Sequence, residues 1–159
     1  MHSSIDVTVA AIVPDGEQFL FVEERVGGEL VFNQPAGHLE PGESLLDAVI
    51  RETLEETGFH FQPESLVGIY QWHCDAAARS FLRVTFMGSA EPPAQTPELD
   101  DGIVATHWLT RNQLLSPQRR LRSPMVIRCL DDFLADIRYP LDCLTDLDRD
   151  IYARAHQTG

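Results

Sequence analysis

The chain has 159 residues, enough for one domain with a buried core, and its hydrophobic (43%) and charged (23%) fractions are ordinary for a globular protein. Lys and Arg number 12 against 25 Asp and Glu, which leaves a formal net charge of −13. That balance argues against long nucleic acid as a partner, because such affinity rests on Lys and Arg meeting phosphates; a mononucleotide stays open, since a metal ion can supply the positive charge.

The opening MHSSIDVTVA has no basic region ahead of a long apolar stretch, so no signal peptide is expected. Val7 to Val13 is a nearly continuous apolar run with β-branched residues, which predicts a buried central strand. Pro14-Asp15-Gly16-Glu17 is a turn, and Phe19 to Glu24 reads as a second strand in a hairpin with the first. Glu23 and Glu24 end that strand. They are either solvated acids or groups that touch substrate or support a metal, and Glu24 is the candidate substrate contact. Gly27-Gly28 turns the chain again, and Leu30 to Phe32 is short and extended. It feeds Gln34-Pro35-Ala36-Gly37.

The stretch Gly37 to Phe59 organises the rest. Ser44 suits an N-cap, Asp47 three residues on resembles a capping box, and Gly58 can end the helix in a left-handed conformation. At about 100° per residue, Leu46, Ile50, Thr53 and Leu54 gather on one side of that helix. Glu52, Glu55 and Glu56 fall together on the other, at i, i+3 and i+4. Arg51 can pair with Glu55, but no cation offsets Glu52 and Glu56. Three neighbouring carboxylates form either a solvated acidic face or a site for a hard divalent cation. Mg²⁺ takes oxygen ligands and shares them with substrate phosphates.

After the helix, Gln62-Pro63-Glu64 is expected to be a loop and Leu66 to His73 a strand. Asp75 to Arg79 is a small-residue turn, and Phe81 to Met87 a strand with Arg83 and Thr85 on one face. Trp72 either stacks a base or pyrimidine ring or is a buried or edge aromatic. Arg83 either meets a substrate phosphate, which its bidentate fork suits, or makes a surface ion pair. Glu91 to Gly102 is a long acidic loop in which Pro92, Pro93 and Pro97 bar regular structure. Ile103 to Leu109 is the next strand, Thr110 caps a short helix from Arg111 to Leu115, and Ser123-Pro124 starts a helix from about Met125 to Asp136. That helix is expected on the opposite face of the sheet from the first. The chain reads as one domain over 1–159, with a frayed tail from about residue 145. Cys74, Cys129 and Cys143 form no CxxC pair, and an odd count without a leader suggests reduced thiols and a cytoplasmic location. No run approaches roughly 18 apolar residues, so no membrane span is expected.

Seven positions (Gly37, Glu43, Arg51, Glu52, Glu55, Glu56 and Gly58) recur together by chance on the order of 10⁻⁸ per window or less at average residue frequencies. Their spacing resembles the Nudix box, complete in its charged and glycine positions. Thr53 departs from it, standing where the family has an aliphatic residue; its hydroxyl can bond the Val49 carbonyl. The resemblance implies a Nudix fold, an α/β/α sandwich with a mixed β-sheet. It also implies Mg²⁺- or Mn²⁺-dependent hydrolysis of a nucleoside diphosphate linked to some group. Glu52, Glu55 and Glu56 would hold the metal, with the Gly37 carbonyl as a further ligand. Arg51 and Glu43 would tie loop to helix. One more carboxylate is expected from the long loop, Glu98 first and Asp101 second. The general base is then Glu52, Glu56 or Glu98. His38 lies at a position that varies in the family.

Asn33-Gln34-Pro35-Ala36-Gly37-His38-Leu39-Glu40, Leu121-Arg122-Ser123-Pro124 and Arg138-Tyr139-Pro140-Leu141 are similar to a bacterial branch of the family, and the match covers most of residues 5–141. That branch acts on nucleoside tri- and diphosphates and on the pyrophosphates of thiamine and its hydroxymethylpyrimidine precursor. The alternatives are another Nudix pyrophosphatase, acting on oxidised nucleotides, ADP-ribose or dinucleoside polyphosphates, and a non-catalytic nucleotide sensor. The oligomeric state is left open between monomer and homodimer.

Overall fold

The computed structural model describes residues 4–148. Among these, β1 (Ile5–Ile12), β2 (Pro14–Asp15), β3 (Gln18–Val26), β4 (Glu29–Asn33) and β5 (Ala36–His38) lead into helix α1 (Leu45–Thr57). Strands β6 (His60–Cys74), β7 (Arg79–Glu91) and β8 (Ile103–Thr110) follow, then helices α2 (Arg111–Leu114) and α3 (Pro124–Leu134). One sheet has the order β5-β1-β7-β6 and is mixed, with β1 parallel to β7 and antiparallel to β5. The other is antiparallel and built on β3, which pairs with β2, β4 and β8.

Side chains alternate across a strand, so β1 feeds two cores. Val9 and Ala11 meet Ala48 and Val49 of α1 on one face, while Ile12 joins Val126, Cys129 and Leu130 of α3 on the other. The two helices therefore cover opposite faces, as expected, and the α/β architecture with a mixed sheet stands.

Four local expectations change. The first two long strands form no hairpin: both edges of the buried β1 are taken by β5 and β7, and the chain changes sheet at Val13, whose carbonyl accepts the Leu20 N–H at 3.1 Å. The hairpin partner of β3 is the two-residue β2. Residues 62–64 are not a loop but part of β6, and the register shifts between Pro63 and Ser65. Such a bulge accommodates a proline that has no N–H for the ladder.

The third change is the roll of α1. Ile50 and Leu54 are 36% and 39% exposed, whereas Ala48, Val49, Thr53, Glu56 and Thr57 are buried. The helix is docked by its small and functional side rather than by its bulky apolar stripe. Thr53 is fully buried and tolerated because its hydroxyl donates to the Val49 carbonyl at 2.7 Å. The fourth is α2, which ends at Leu114 after a capping box between Thr110 and Gln113. The expected frayed tail falls largely on residues 149–159, outside the described residues. Cys129 is buried, Cys74 half-buried and Cys143 exposed, and all three are free thiols.

Candidate active site

Helix α1 is held at both ends. Ser44 Oγ accepts the Asp47 N–H at 3.0 Å, and Gly58, at φ 76°, returns its N–H to the Leu54 carbonyl. Between these caps, Arg51 gathers the acids. Its Nε and Nη2 donate to the Glu43 carboxylate at 2.7 and 3.0 Å, and its Nη1 donates to Glu52 at 2.9 Å and Glu55 at 3.0 Å. Nη2 also reaches the His38 carbonyl at 3.1 Å. The expectation that no cation offsets Glu52 is therefore corrected: one guanidinium nitrogen bridges the neighbouring carboxylates of residues 52 and 55. The same guanidinium holds the Glu43 carboxyl below its ordinary range.

Gly37 sits in β5 directly against this cluster. A Cβ there would lie 2.0 Å from the Glu52 carboxyl carbon, so the close approach of strand and carboxylate requires glycine. Glu56 lies deeper, 7% exposed, and its Oε2 accepts the Ala36 N–H at 3.0 Å. Burial pushes its pKa up to about 9; the Ala36 N–H opposes the rise, and the charges of Glu24, Glu52 and Asp100 add to it. Burial also raises Glu52, against the pull of Arg51. A bound cation reverses the sign of this local field.

The long loop delivers a carboxylate, but from a different residue than expected. The Asp100 N–H bonds the Glu55 carbonyl at 3.0 Å, and carboxylate oxygens of Glu52, Glu55 and Asp100 all lie within 4.8 Å of one another. Octahedral Mg²⁺ binds oxygen at about 2.0–2.1 Å, so opposite ligands stand about 4 Å apart. These three groups fit such an ion after small side-chain adjustments. Glu98 and Asp101 instead line an adjoining hollow that shares Glu55 and Asp100 with the main cleft, and they are not among the residues lining the cleft itself. Three acids within four residues look alike in sequence; only the backbone bond to Glu55 singles out Asp100.

The acids line a cleft of about 480 Å³. Trp72 and Phe81 also line it, as cross-strand partners whose rings stack at 5.8 Å with an interplanar angle of 20°. Arg83 lines the cleft but makes no surface ion pair. It is 4% exposed and donates to the side-chain oxygens of Gln34 at 3.1 Å and Asn33 at 3.0 Å. Glu24 also lines the cleft, half-buried, with Arg122 at 3.2 Å. Burial raises its pKa, against the pull of Arg122. Glu23 points elsewhere and pairs with His107 at 2.8 Å. His38 lies at the cleft with its side chain 60% exposed. Phe81, Asn33 and Asp100 were not singled out from sequence. Phe81 was legible only as a strand residue, because its pairing with Trp72 depends on the register between β6 and β7.

A NUDIX domain model matches residues 4–129. The chain is 37% identical over 140 residues to Phosphatase NudJ of Escherichia coli strain K12, and equally to that of Shigella flexneri; the match covers 88% of this chain and 90% of each relative. Among solved structures, a NUDIX hydrolase from Nitrosomonas europaea superposes with a TM-score of 0.88 at 43% identity, covering 92% of this chain and all of that one.

Proposed function

The chain belongs to the NUDIX family and is a Nudix hydrolase, and from that premise we propose that it cleaves phosphoanhydride bonds with Mg²⁺, or Mn²⁺ in its place. Its substrates in this reading are nucleoside tri- and diphosphates and the pyrophosphates of thiamine and hydroxymethylpyrimidine. The observation that carries the reading is one cleft lined by carboxylates, a stacked aromatic pair and a buried guanidinium together. A phosphorylated heterocycle needs both: a charged end for its phosphates and a flat apolar wall for its ring.

Glu52, Glu55 and Asp100 would hold the cation, with Glu56 and the Gly37 carbonyl beside them. A divalent cation bound there supplies charge neutralisation for the phosphates and acidity for the attacking water. The chain's own groups do the rest. Arg51 and Glu43 keep the carboxylates aimed before substrate arrives. Glu52, Glu56 and Asp100, which line the cleft, are the groups this reading assigns to take the water's proton; Glu98 lines the adjoining hollow with Glu55 and Asp100. Trp72 offers its face to the ring, and Arg83, fixed by Asn33 and Gln34, lends positive charge to the cleft floor. In-line displacement at phosphorus needs this positioning and charge balance more than covalent help.

The test is release of orthophosphate and pyrophosphate with Mg²⁺ and with chelator. The panel is nucleoside di- and triphosphates, thiamine pyrophosphate, ADP-ribose and a diadenosine polyphosphate. Cation-dependent orthophosphate from the first three is the expected result. Turnover of ADP-ribose or the dinucleotide alone would move the protein to another branch of the family.

A further inference from the structure

The cleft wall at the start of α3 carries groups, Ser123, Arg122 and Thr8, that the proposed chemistry leaves unused. Helix α3 begins there with Ser123 as its N-cap and Pro124 in its first turn, yet the Ser123 side chain makes no capping bond. Ser123 is 7% exposed and lines the cleft, and its Oγ has no hydrogen-bond partner among the described residues. Thr8, also 7% exposed and also lining the cleft, has an unpartnered Oγ1, and the Nε of Arg83 is in the same state. Glu24 Oε1, beside Arg122 on the same cleft, is a fourth. A buried polar atom without a partner costs about 1–3 kcal/mol, so the three donors among these four mark places that a ligand satisfies.

Positive charge comes to this wall from Arg122 and the start of α3, with the Glu24 carboxylate offsetting part of it. The N-terminus of an α-helix carries about half a positive charge and favours anions. Arg122 immediately precedes it at the cleft wall, its Nε facing Glu24 at 3.2 Å. A guanidinium has five N–H donors, so one contact to Glu24 leaves others for a tetrahedral anion. A neutral base edge would not call for a helix N-terminus and two arginines; a phosphoryl group would.

We propose that Ser123, Arg122 and the N-terminal end of α3, with Thr8, form a second phosphoryl-binding subsite in the cleft that also holds the carboxylate cluster. It holds the phosphoryl group next to the one under attack, and after cleavage it holds orthophosphate. The proposal rests on the hydrolase reading above and deepens it: it makes the enzyme a reader of phosphate number. A diphosphate engages the cation site and this subsite together, and a monophosphate engages only one.

The probe is inorganic phosphate. Its affinity for the Mg²⁺-loaded enzyme is measured by ³¹P line broadening and, separately, as a competitive inhibition constant. Ser123→Ala and Arg122→Gln should each weaken phosphate about tenfold, the size of one hydrogen bond to a charged group, and raise KM for diphosphates in parallel. Mn²⁺ affinity should stay unchanged. Because Ser123 Oγ caps nothing, the Tm of Ser123→Ala should also stay unchanged, and Ser123→Thr, which keeps a hydroxyl, should restore phosphate affinity. Equal phosphate affinity in wild type and Ser123→Ala overturns the subsite. So does a wild type that binds no phosphate, or a Ser123→Ala whose loss falls on unphosphorylated nucleoside instead. The line-broadening titration needs no turnover. If none of the proposed substrates is cleaved, the substrate reading fails while the subsite is still decided by that titration.

Discussion

At the scale of single residues, Glu56 is where burial and charge conflict most. Its folded-state pKa of about 9 lies above the ordinary 4.5, so the metal-free fold keeps a proton that the unfolded chain releases. The stabilising contribution is complete below about pH 4.5 and is lost as pH rises towards 9. We expect the Tm of the metal-free protein to fall between pH 5 and pH 9. Glu56→Gln, which keeps an oxygen for the Ala36 N–H, should flatten that fall in thermal melts. The same variant should cost turnover about 10²-fold or more with Mg²⁺ present, and wild-type rates in it would remove Glu56 from the proposed machinery. Gly37→Ala tests a different constraint. The added Cβ would collide with the Glu52 carboxylate at 2.0 Å, so steady-state assays should show a loss of kcat larger than any loss of stability. Residue identities at this site were readable early because glycines and charges at fixed spacing are rare by chance. Their partners were less so: Arg51 binding Glu52 as well as Glu55 depends on a side-chain fork that no helical wheel displays.

At the scale of elements, helix α1 and the loop after β7 act together. The limits of α1 were legible from Ser44 and Gly58, whose capping chemistry is local. Its roll was not. Leu46, Ile50 and Leu54 make an apolar stripe, but the side that docks is decided by the Glu56 bond to Ala36 and by the gap at Gly37. Those are tertiary contacts with no periodic signature. Gly58 serves twice: φ is 76°, and a Cβ there would sit 2.5 Å from Pro97 Cβ of the loop. Gly58→Ala should therefore destabilise by more than the roughly 1 kcal/mol of a left-handed alanine, lowering Tm by several degrees in calorimetry. For the loop acids, Asp100→Asn should lower kcat strongly and Glu98→Gln hardly at all. The reverse order would return the role to Glu98.

At the scale of the whole molecule, a net charge of −13 and a cluster of convergent carboxylates give the proposed cation site a test by stability. A ligand that binds only the native state stabilises it by mass action. Mg²⁺ or Mn²⁺ should raise Tm in a saturable way and chelator should reverse it, while Glu52→Gln should blunt the rise in the same scan. Chain-wide architecture was legible because strands with turn signals between them and two capped helices leave few arrangements. The pairing of those strands was not. A β1 buried on both faces tells nothing of which strands take its edges, and so the hairpin with β3 was expected where β5 and β7 stand instead.

The loop that carries Asp100 is fastened before any ligand comes, by the Asp100 N–H on Glu55 and by Pro97 against Gly58. Its conformational entropy is thus surrendered when the chain folds, not when the cation binds. In the proposed reading, affinity for the cation is then not taxed by ordering a segment, and the cost appears instead as lower stability of the metal-free protein. Loosening that fastening from either side should weaken metal affinity with every ligand still in place.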